Sequence, residues 1–166
     1  MHRQENVDVE ERLRSLLDAL TRIGRQYELP ILCSLHPRTG SKLKRFGLLG
    51  EAAPPHLVLH PPFGFAEFVH LERNALCVLS DSGTVQEECC ILGVANVTIR
   101  DATERPETIE CGSGMLSGAE PEAILRCVRA VLGQKGDWRP PPEYLAPNVS
   151  RTVTQIVLGH TAALGS

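Results

Sequence analysis

The sequence contains few aromatic residues, little lysine and no long apolar run. Aromatic residues make up 4% of the chain, and lysine occurs only at Lys42, Lys44 and Lys135. Because the net charge is −3, we expect none of the basic surface that nucleic-acid binding requires and no nucleic-acid partner. No apolar stretch approaches the roughly 20 residues that a membrane-spanning helix needs, so we expect no membrane association.

The cysteines follow none of the patterns that bind zinc. None of the six lies in a CxxC pair, and most occupy apolar positions of predicted strands and helices. The polar opening MHRQENVDVEER is unlike a secretory signal. They are Cys33, Cys77, Cys89, Cys90, Cys111 and Cys127. We therefore expect reduced core thiols in a cytoplasmic protein, with neither a metal site nor an organic cofactor.

What the chain does contain is an alternation of strand-like and helix-like segments. At 166 residues and 42% hydrophobic composition, it is long enough to bury a core as one domain. Short apolar strands are predicted at 30–35, 56–60, 76–80, 95–99 and 114–118. Helices are predicted from just after Asp8 to about Tyr27 and at 41–47, 66–74, 83–92, 106–111 and 121–132. Asp8 and Glu11 are spaced as in a capping box at the start of the first helix.

This alternation predicts right-handed βαβ units. The expected fold is α/β, a three-layer Rossmann-like parallel sheet with helices on both faces. We expect that unit to occupy residues 1–135, followed by a Pro-rich linker at 136–148 and a C-terminal helix at 149–166.

Ligands of parallel sheets bind where the strands end at their carboxyl side. Four loops are expected there side by side: HPRTG (36–40), HPPFGF (60–65), SDSGT (80–84) and RDATERPE (100–107). The site, if there is one, should be built from these loops.

The SDSGT turn has two interpretations. A helix start offers free N–H groups and a partial positive charge, so Ser82, Gly83 and Thr84 form a candidate phosphate cradle. Alternatively, Asp81 or Ser82 simply caps the helix. A serine nucleophile is not indicated, because the sequence lacks a GxSxG elbow and the predicted fold is not the all-β fold in which GDSGG serves proteases.

Charged and aromatic residues near the same edge are also ambiguous. Arg100 and Arg105 suit a clamp on a diphosphate, or belong to a solvated loop with local ion pairs. Phe65 and Phe68 suit a stacked base, or core packing. Glu88 lies one turn after Thr84 and is placed to reach a ligand hydroxyl, or is an exposed helical glutamate. The histidines His2 and His36 precede arginines near predicted loop ends.

Taken together, these segments resemble the non-hydrolysing UDP-N-acetylglucosamine 2-epimerases. The segments that carry the resemblance are HRQEN (2–6), HPRT (36–39), LSDSGTVQEE (79–88), LG (92–93), IRDATERPE (99–107) and the G-x-x-x-x-SG pattern (112–118). The resemblance covers nearly the whole chain, and the ordered string from DSG to ERPE is a specific signature.

The resemblance implies a two-domain, GT-B-like enzyme, of which this chain matches the second, UDP-gripping half. It assigns assisting catalytic roles to His2, Arg3 and Glu5. It also implies UDP-binding roles for His36 (diphosphate), Phe68 (uracil), Ser82, Gly83 and Thr84 (phosphates), Glu88 (ribose) and Arg105 (diphosphate). The implied partners are UDP and a UDP-N-acetylhexosamine, with a homodimer possible.

Two departures from the family pattern matter. Thr84 stands where family members more often have a second glycine, and its side chain alters how closely the backbone can approach a phosphate. DSGT also occurs in relatives that use modified UDP-sugars, so the motif does not specify the sugar. The family's acid/base carboxylates belong to the first half, which this sequence does not contain. We therefore expect an inactive, truncated domain that lacks its N-terminal partner, with an exposed apolar patch on the closing helix.

Two other functions remain open at the level of the sequence. The same fold serves as the nucleotide-sugar domain of GT-B glycosyltransferases. A non-catalytic UDP-sugar-binding module is the third alternative.

Overall fold

The computed structural model describes residues 1–48, 54–134 and 136–163, with side chains to residue 159. The helices are α1 (Gln4–Val7), α2 (Glu10–Tyr27), α3 (Pro37–Arg45), α4 (Phe65–Arg73), α5 (Gly83–Leu92), α6 (Pro106–Glu110), α7 (Pro121–Gly133) and α8 (Val149–Ala163). The strands are β1 (Ile31–Ser34), β2 (Leu57–His60), β3 (Val78–Ser80), β4 (Asn96–Thr98) and β5 (Gly114–Leu116). The predicted α/β fold with parallel strands is confirmed.

All strand pairs are parallel, and helices cover both faces. β1 pairs with β2 in one sheet, and the other sheet has the order β3-β4-β5. Helices α2 and α7 pack together over β4, while α4 and α5 lie together with α5 against β3 and β4. The strands are short and apolar because both of their faces are covered.

The expected row of four adjacent loops is wrong in one respect, because the sheet is divided. A cavity of about 440 Å³ lies between β1 and β3 and is lined by residues of both strands, and Leu32 on β1 remains 50% exposed. The loops therefore form two pairs, one after β1 and β2 and the other after β3 and β4. The prediction of one continuous sheet rested on the order of the elements. That order does not specify whether two neighbouring strands lie close enough to form backbone hydrogen bonds.

Helix α2 connects the two sheets. Its apolar residues recur at helical spacing, and they divide between two buried clusters. Leu16 and Ile23 pack with β4 and α7, whereas Leu13 and Leu17 pack with α3 and β2. Each such side chain contributes about 1.5–3 kcal/mol by its burial, so α2 holds both halves in a fixed relation.

The predicted capping box at Asp8 does not form. The residue before α2 is Val9, and no side chain among the described residues caps that helix. Asp8 instead forms ion pairs with Arg38 and, at 3.0 Å, with Lys42, both on α3. Two cations from another helix are a stronger attraction for the carboxylate than one backbone N–H.

Helix α3 begins earlier than the predicted position 41. Pro37 occupies its first turn, where proline is favoured. The ring nitrogen Nδ1 of His36 accepts a hydrogen bond from the backbone N–H of Arg38 at 3.2 Å. Because the cap is a histidine rather than Ser, Thr, Asp or Asn, the sequence pattern did not reveal it.

The Pro-rich segment 136–148 lies along the body of the protein. The indole N–H of Trp138 donates to the carbonyl of Cys90 at 3.1 Å, and the Tyr144 hydroxyl lies 3.4 Å from the Glu107 carboxylate. A short 3-10 helix spans Pro142–Leu145. These contacts place the segment against α5 and α6.

The C-terminal helix α8 exposes apolar side chains, including Val149, Val153 and Ile156, as expected. In the described part of the chain no helix is both long and apolar enough to cross a membrane. The boundary at residue 135 and the residues 164–166 lie outside the described residues, so the division into 1–135, 136–148 and 149–166 stays a prediction.

Candidate functional site

A buried carboxylate organises the carboxyl ends of β3 and β4. Asp81 follows β3 directly and is only 1% exposed. Its Oδ2 accepts hydrogen bonds from the backbone N–H groups of His2 (2.9 Å) and Arg3 (3.0 Å) and from the side-chain amide of Asn6 (3.2 Å). The Met1 ammonium lies 3.9 Å from Oδ1. Asp81 thus fastens the N-terminal segment to the end of β3.

These partners keep Asp81 ionised. Burial by itself would raise its pKa, but the Met1 ammonium, the N–H groups of Arg3 and His2, and the amide of Asn6 outweigh that effect and lower it below the usual 3.8. The same surroundings act on His2, whose Nδ1 lies 3.3 Å from Asp81. Burial lowers the pKa of His2 below 6.5, and the Asp81 charge only partly offsets this.

A second set of polar contacts joins the N-terminal segment to the loop after β4. Arg100 donates from Nε to Glu5 at 2.8 Å and contacts Glu104 at 3.4 Å. Arg3 lies 3.7 Å from the same Glu104 and donates to the Asp81 carbonyl at 3.3 Å. Arg100 is therefore committed to carboxylates of the protein, which favours the ion-pair interpretation of this residue.

The start of α5 is free of side-chain caps. Ser82 occupies the N-cap position, and no described side chain bonds to the first-turn N–H groups. Gly83 and Thr84 are the first two helical residues, and Thr84 is exposed. Since Asp81 faces the N-terminal segment instead, the capping interpretation is wrong, and the N–H groups and the partial positive charge of α5 remain available to an anion.

Arg105 lies directly over Gly83. A Cβ atom added to Gly83 would be 3.6 Å from Cζ of Arg105. The guanidinium forms an ion pair with Glu87 of α5 and donates to the Glu104 carbonyl at 2.9 Å. A helix N-terminus and a guanidinium therefore converge at one point, an arrangement that suits a phosphate group.

The two histidines meet across the divided sheet. The rings of His2 and His36 have their centroids 5.8 Å apart. Thr39 on α3 donates to the carbonyl of Met1 at 2.6 Å, which fixes the N-terminal segment to the loop after β1. The segment 1–7 thereby brings the loops after β1, β3 and β4 together.

The remaining predicted residues, Phe68 on α4 and Glu88 on α5, belong to two helices that pack together. Phe68 packs against Val85 and Cys89, while Glu88 is partly exposed. Burial, and then the charge of Glu87, raises the pKa of Glu88. Phe68 on α4 and Glu88 further along α5 adjoin the region in which the structure gathers the other predicted residues: His2, Arg3, Glu5, His36, Ser82, Gly83, Thr84 and Arg105.

Glu72 on α4, near Glu88, is a buried carboxylate without a hydrogen-bond partner among the described residues. It is 2% exposed, and neither carboxylate oxygen has a hydrogen-bond partner among the described residues. Burial, and then the charge of Glu88, raises its pKa to about 7. In the described residues no three His, Cys, Asp or Glu side chains are placed to share a metal ion.

Sequence reasoning identified neither the anchoring roles of Asp81 and Asn6 nor the burial of Glu72. Asp81 had a recognisable signal: it directly follows an apolar strand and precedes the N-cap by one residue, so its side chain cannot cap. Asn6 donates to both Asp81 and the Ile99 carbonyl (3.0 Å), a long-range contact with no local sequence pattern.

Comparison with known proteins gives a consistent result. Residues 1–158 match the family model described as UDP-N-acetylglucosamine 2-epimerase. The chain is 41% identical over 160 residues to the UDP-N-acetylglucosamine 2-epimerase of Methanococcus maripaludis, covering 96% of this chain and 43% of that protein. It is 37% identical over 134 residues to the UDP-2,3-diacetamido-2,3-dideoxy-D-glucuronate 2-epimerase of Pseudomonas aeruginosa, covering 81% of this chain and 36% of that one.

Among solved structures, the Methanocaldococcus jannaschii UDP-GlcNAc 2-epimerase in complex with UDP-GlcNAc and UDP superposes with a TM-score of 0.89 at 39% identity. The match covers 95% of this chain and 43% of that structure. The chain therefore spans less than half the length of the relatives it matches.

Replacing Asp81 by asparagine should destabilise the protein. The carbonyl oxygen of the new side chain can still accept the three hydrogen bonds that Oδ2 accepts, but its NH2 group replaces the charged oxygen that faces the Met1 ammonium. We therefore expect Asp81→Asn to lose about 2–4 kcal/mol of unfolding free energy in urea titrations near neutral pH. The surface change Asp18→Asn is the control, since Asp18 forms an exposed pair with Arg22, and should cost less than about 0.5 kcal/mol.

The Asp81 effect should also depend on pH. Because the folded-state pKa is lowered, the stabilisation is present above 3.8 and is lost as the pH falls through the lower folded-state value. Equal stability of wild type and Asp81→Asn at neutral pH would contradict the anchoring role.

Glu72 should have the opposite pH dependence. Its folded-state pKa of about 7 exceeds the usual 4.5, so ionising it opposes folding as the pH rises through that interval. The unfolding free energy of Glu72→Gln, measured relative to wild type in urea titrations, should increase by about 2–3 kcal/mol as the pH rises from about 4 to about 8.5. A flat profile for Glu72→Gln would mean that this carboxyl is paired or hydrated.

Proposed function

The chain belongs to the UDP-N-acetylglucosamine 2-epimerase family, and on that premise we propose that it forms the UDP-binding half of an epimerase that inverts C2 of a UDP-N-acetylhexosamine. The observation that carries the proposal is the convergence of the uncapped α5 N-terminus with Arg105 at Gly83. That point offers backbone donors, a hydroxyl and a guanidinium to one anion, and the absence of a Cβ on Gly83 lets the Arg105 side chain lie close to the start of the helix.

The other predicted residues extend this anion site into a nucleotide site. Ser82, Gly83 and Thr84 hold the phosphates, with His36 and Arg105 beside the diphosphate. Glu88, six residues along α5 from Ser82, accepts from the ribose hydroxyls, and Phe68 borders the uracil. In support of this, the M. jannaschii relative was solved with UDP-GlcNAc and UDP.

The proposed chemistry is elimination of UDP from the sugar followed by its re-addition after protonation on the opposite face of C2. During elimination the β-phosphate gains negative charge. Donors already aimed at that phosphate stabilise the transition state more than the ground state. The anion site thus serves both to promote departure of UDP and to retain it until re-addition.

His2, Arg3 and Glu5 assist from the N-terminal segment. Their backbone is fixed by Asp81, and Arg3 and Glu5 are engaged with Glu104 and Arg100. His2 has a lowered pKa and is therefore largely neutral near pH 7, a state in which one ring nitrogen can accept a proton and the other donates a hydrogen bond.

We infer that the principal acid and base carboxylates belong to the part of the relatives that this chain does not match. On this proposal the chain alone binds UDP from one side of an open cleft, with low affinity and without turnover. The chain matches about 43% of the relatives' length. This supports the proposal that UDP binding and proton transfer belong to different halves of the protein.

Calorimetric titration with UDP tests the site directly. We expect wild type to bind UDP with a Kd in the range of roughly 0.1–1 mM. Gly83→Ala should weaken binding at least about tenfold while leaving the Tm unchanged, because the added Cβ makes only ordinary contact with Arg105 in the free protein. Arg105→Ala should weaken binding similarly by removing the charge.

Gly133→Ala is the matched control, since a Cβ there meets open space at the end of α7. It should leave UDP affinity unchanged. A folded wild-type protein with no UDP binding at millimolar concentration, or equal affinities for the Gly83→Ala and Gly133→Ala variants, would overturn the proposed site.

The reaction is tested by restoring the unmatched half. A fusion of the N-terminal half of the M. maripaludis relative to this chain should convert UDP-N-acetylglucosamine to its C2 epimer without any acceptor, as followed by NMR. Sugar transfer to an added acceptor with no epimer would instead indicate a glycosyltransferase. Because the P. aeruginosa relative is named for a diacetamido glucuronate, that UDP-sugar belongs in the same assay.

A further inference from the structure

Two thiols lie in contact at the ends of α5 and α6 opposite to those that carry Gly83 and Arg105. The Sγ atoms of Cys90 on α5 and Cys111 at the end of α6 are 3.7 Å apart. They are separated by 21 residues in sequence, so only the packing of α6 against α5 brings them together. The separation exceeds the roughly 2.05 Å of a disulfide by an amount that side-chain rotation and small backbone shifts can close.

The surroundings give the two thiols different access to solvent. Cys90 is fully buried, whereas Cys111 is partly exposed. Cys111 contacts the Thr108 carbonyl at 3.6 Å and the Ser113 hydroxyl at 3.5 Å. Gly112 follows with a φ of 84°, a conformation that glycine adopts easily, and the turn it makes leaves Cys111 at the surface. An oxidant therefore reaches Cys111 first, with Cys90 directly behind it.

This pair is distinct from the other cysteines. Within the described residues, no other two thiols make a hydrogen-bond contact, and all six cysteines are free. Desolvation raises the pKa of Cys77 to about 11 and also raises the pKa values of Cys33 and Cys90, so what distinguishes the Cys90–Cys111 pair is the contact between its sulfur atoms.

We propose that Cys90 and Cys111 form a redox-responsive disulfide that links α5 to α6. With a peroxide as the oxidant, the Cys111 thiol is first oxidised to a sulfenic acid, and one water is released. The Cys90 thiol then attacks that sulfur, the S–O bond breaks, and a second water leaves. The two thiols lose two electrons and two protons, which reduce the peroxide to two waters.

The bond would enclose a functionally placed loop. The closed segment contains β4, Arg100 and Thr103, whose hydroxyl donates to Gln86 on α5 at 2.8 Å, and it contains Arg105 over Gly83. Oxidation would therefore fix the RDATERPE loop against α5. The disulfide itself does not depend on the proposed UDP site, since it follows from the thiol geometry alone.

Peptide mapping of the intact protein tests the bond. After treatment of the native chain with hydrogen peroxide and blocking of free thiols, trypsin should release the peptides 74–100 and 101–126 joined by a disulfide, because cleavage does not occur between Arg105 and Pro106. The pair should separate on reduction. We also expect the oxidised protein to melt roughly 5 °C or more above the reduced one.

Variants identify the cysteines involved. Cys111→Ser and Cys90→Ser should each abolish the joined peptide and the rise in Tm, whereas Cys89→Ala and Cys77→Ala should retain both. If native wild type yields no joined peptide, or if it persists in Cys90→Ser, the proposal is overturned. Peptide 74–100 also contains Cys77 and Cys89, so fragmentation of the joined peptide from wild type is used to locate the bond. It decides the question even if a serine variant fails to fold, and a bond to Cys77 or Cys89 would overturn the proposal.

Discussion

The buried carboxylate of Asp81 is the interaction on which the candidate site depends. It lies at the end of β3, accepts three hydrogen bonds from the segment that begins the chain, and remains ionised despite burial. An uncompensated charge at this depth would be strongly destabilising. The N-terminal segment and the β3 turn are therefore mutually required, and each positions its residues only in the presence of the other.

A consequence of this arrangement is that α5 keeps its N-terminus free. In many helices an aspartate near the start would satisfy the first N–H groups. Here Asp81 is directed toward the N-terminal segment, and Ser82 makes no cap bond among the described residues. The unused donors and the guanidinium of Arg105 then make up the proposed anion site without any dedicated binding loop.

Helix α2 and the segment 1–7 together compensate for the divided sheet. The apolar face of α2 packs into two clusters, one on each side of the division, and the N-terminal segment contacts both Thr39 and Asp81. The loops after β1, β3 and β4 are thus held near one another by packing and by polar contacts rather than by continuous strand pairing. The proposed nucleotide site spans this junction.

The sequence by itself determined the α/β class, the order of the elements, the bounds of α5 and the candidate residues of the SDSGT turn, because hydrophobic periodicity and helix-start chemistry are local properties of the chain. Tertiary structure alone decided that Asp81 anchors rather than caps, that Arg105 lies over Gly83, that the sheet is divided, and that Cys90 meets Cys111. Each of these depends on contacts between residues far apart in sequence, whose energies arise only once the helices and strands have packed.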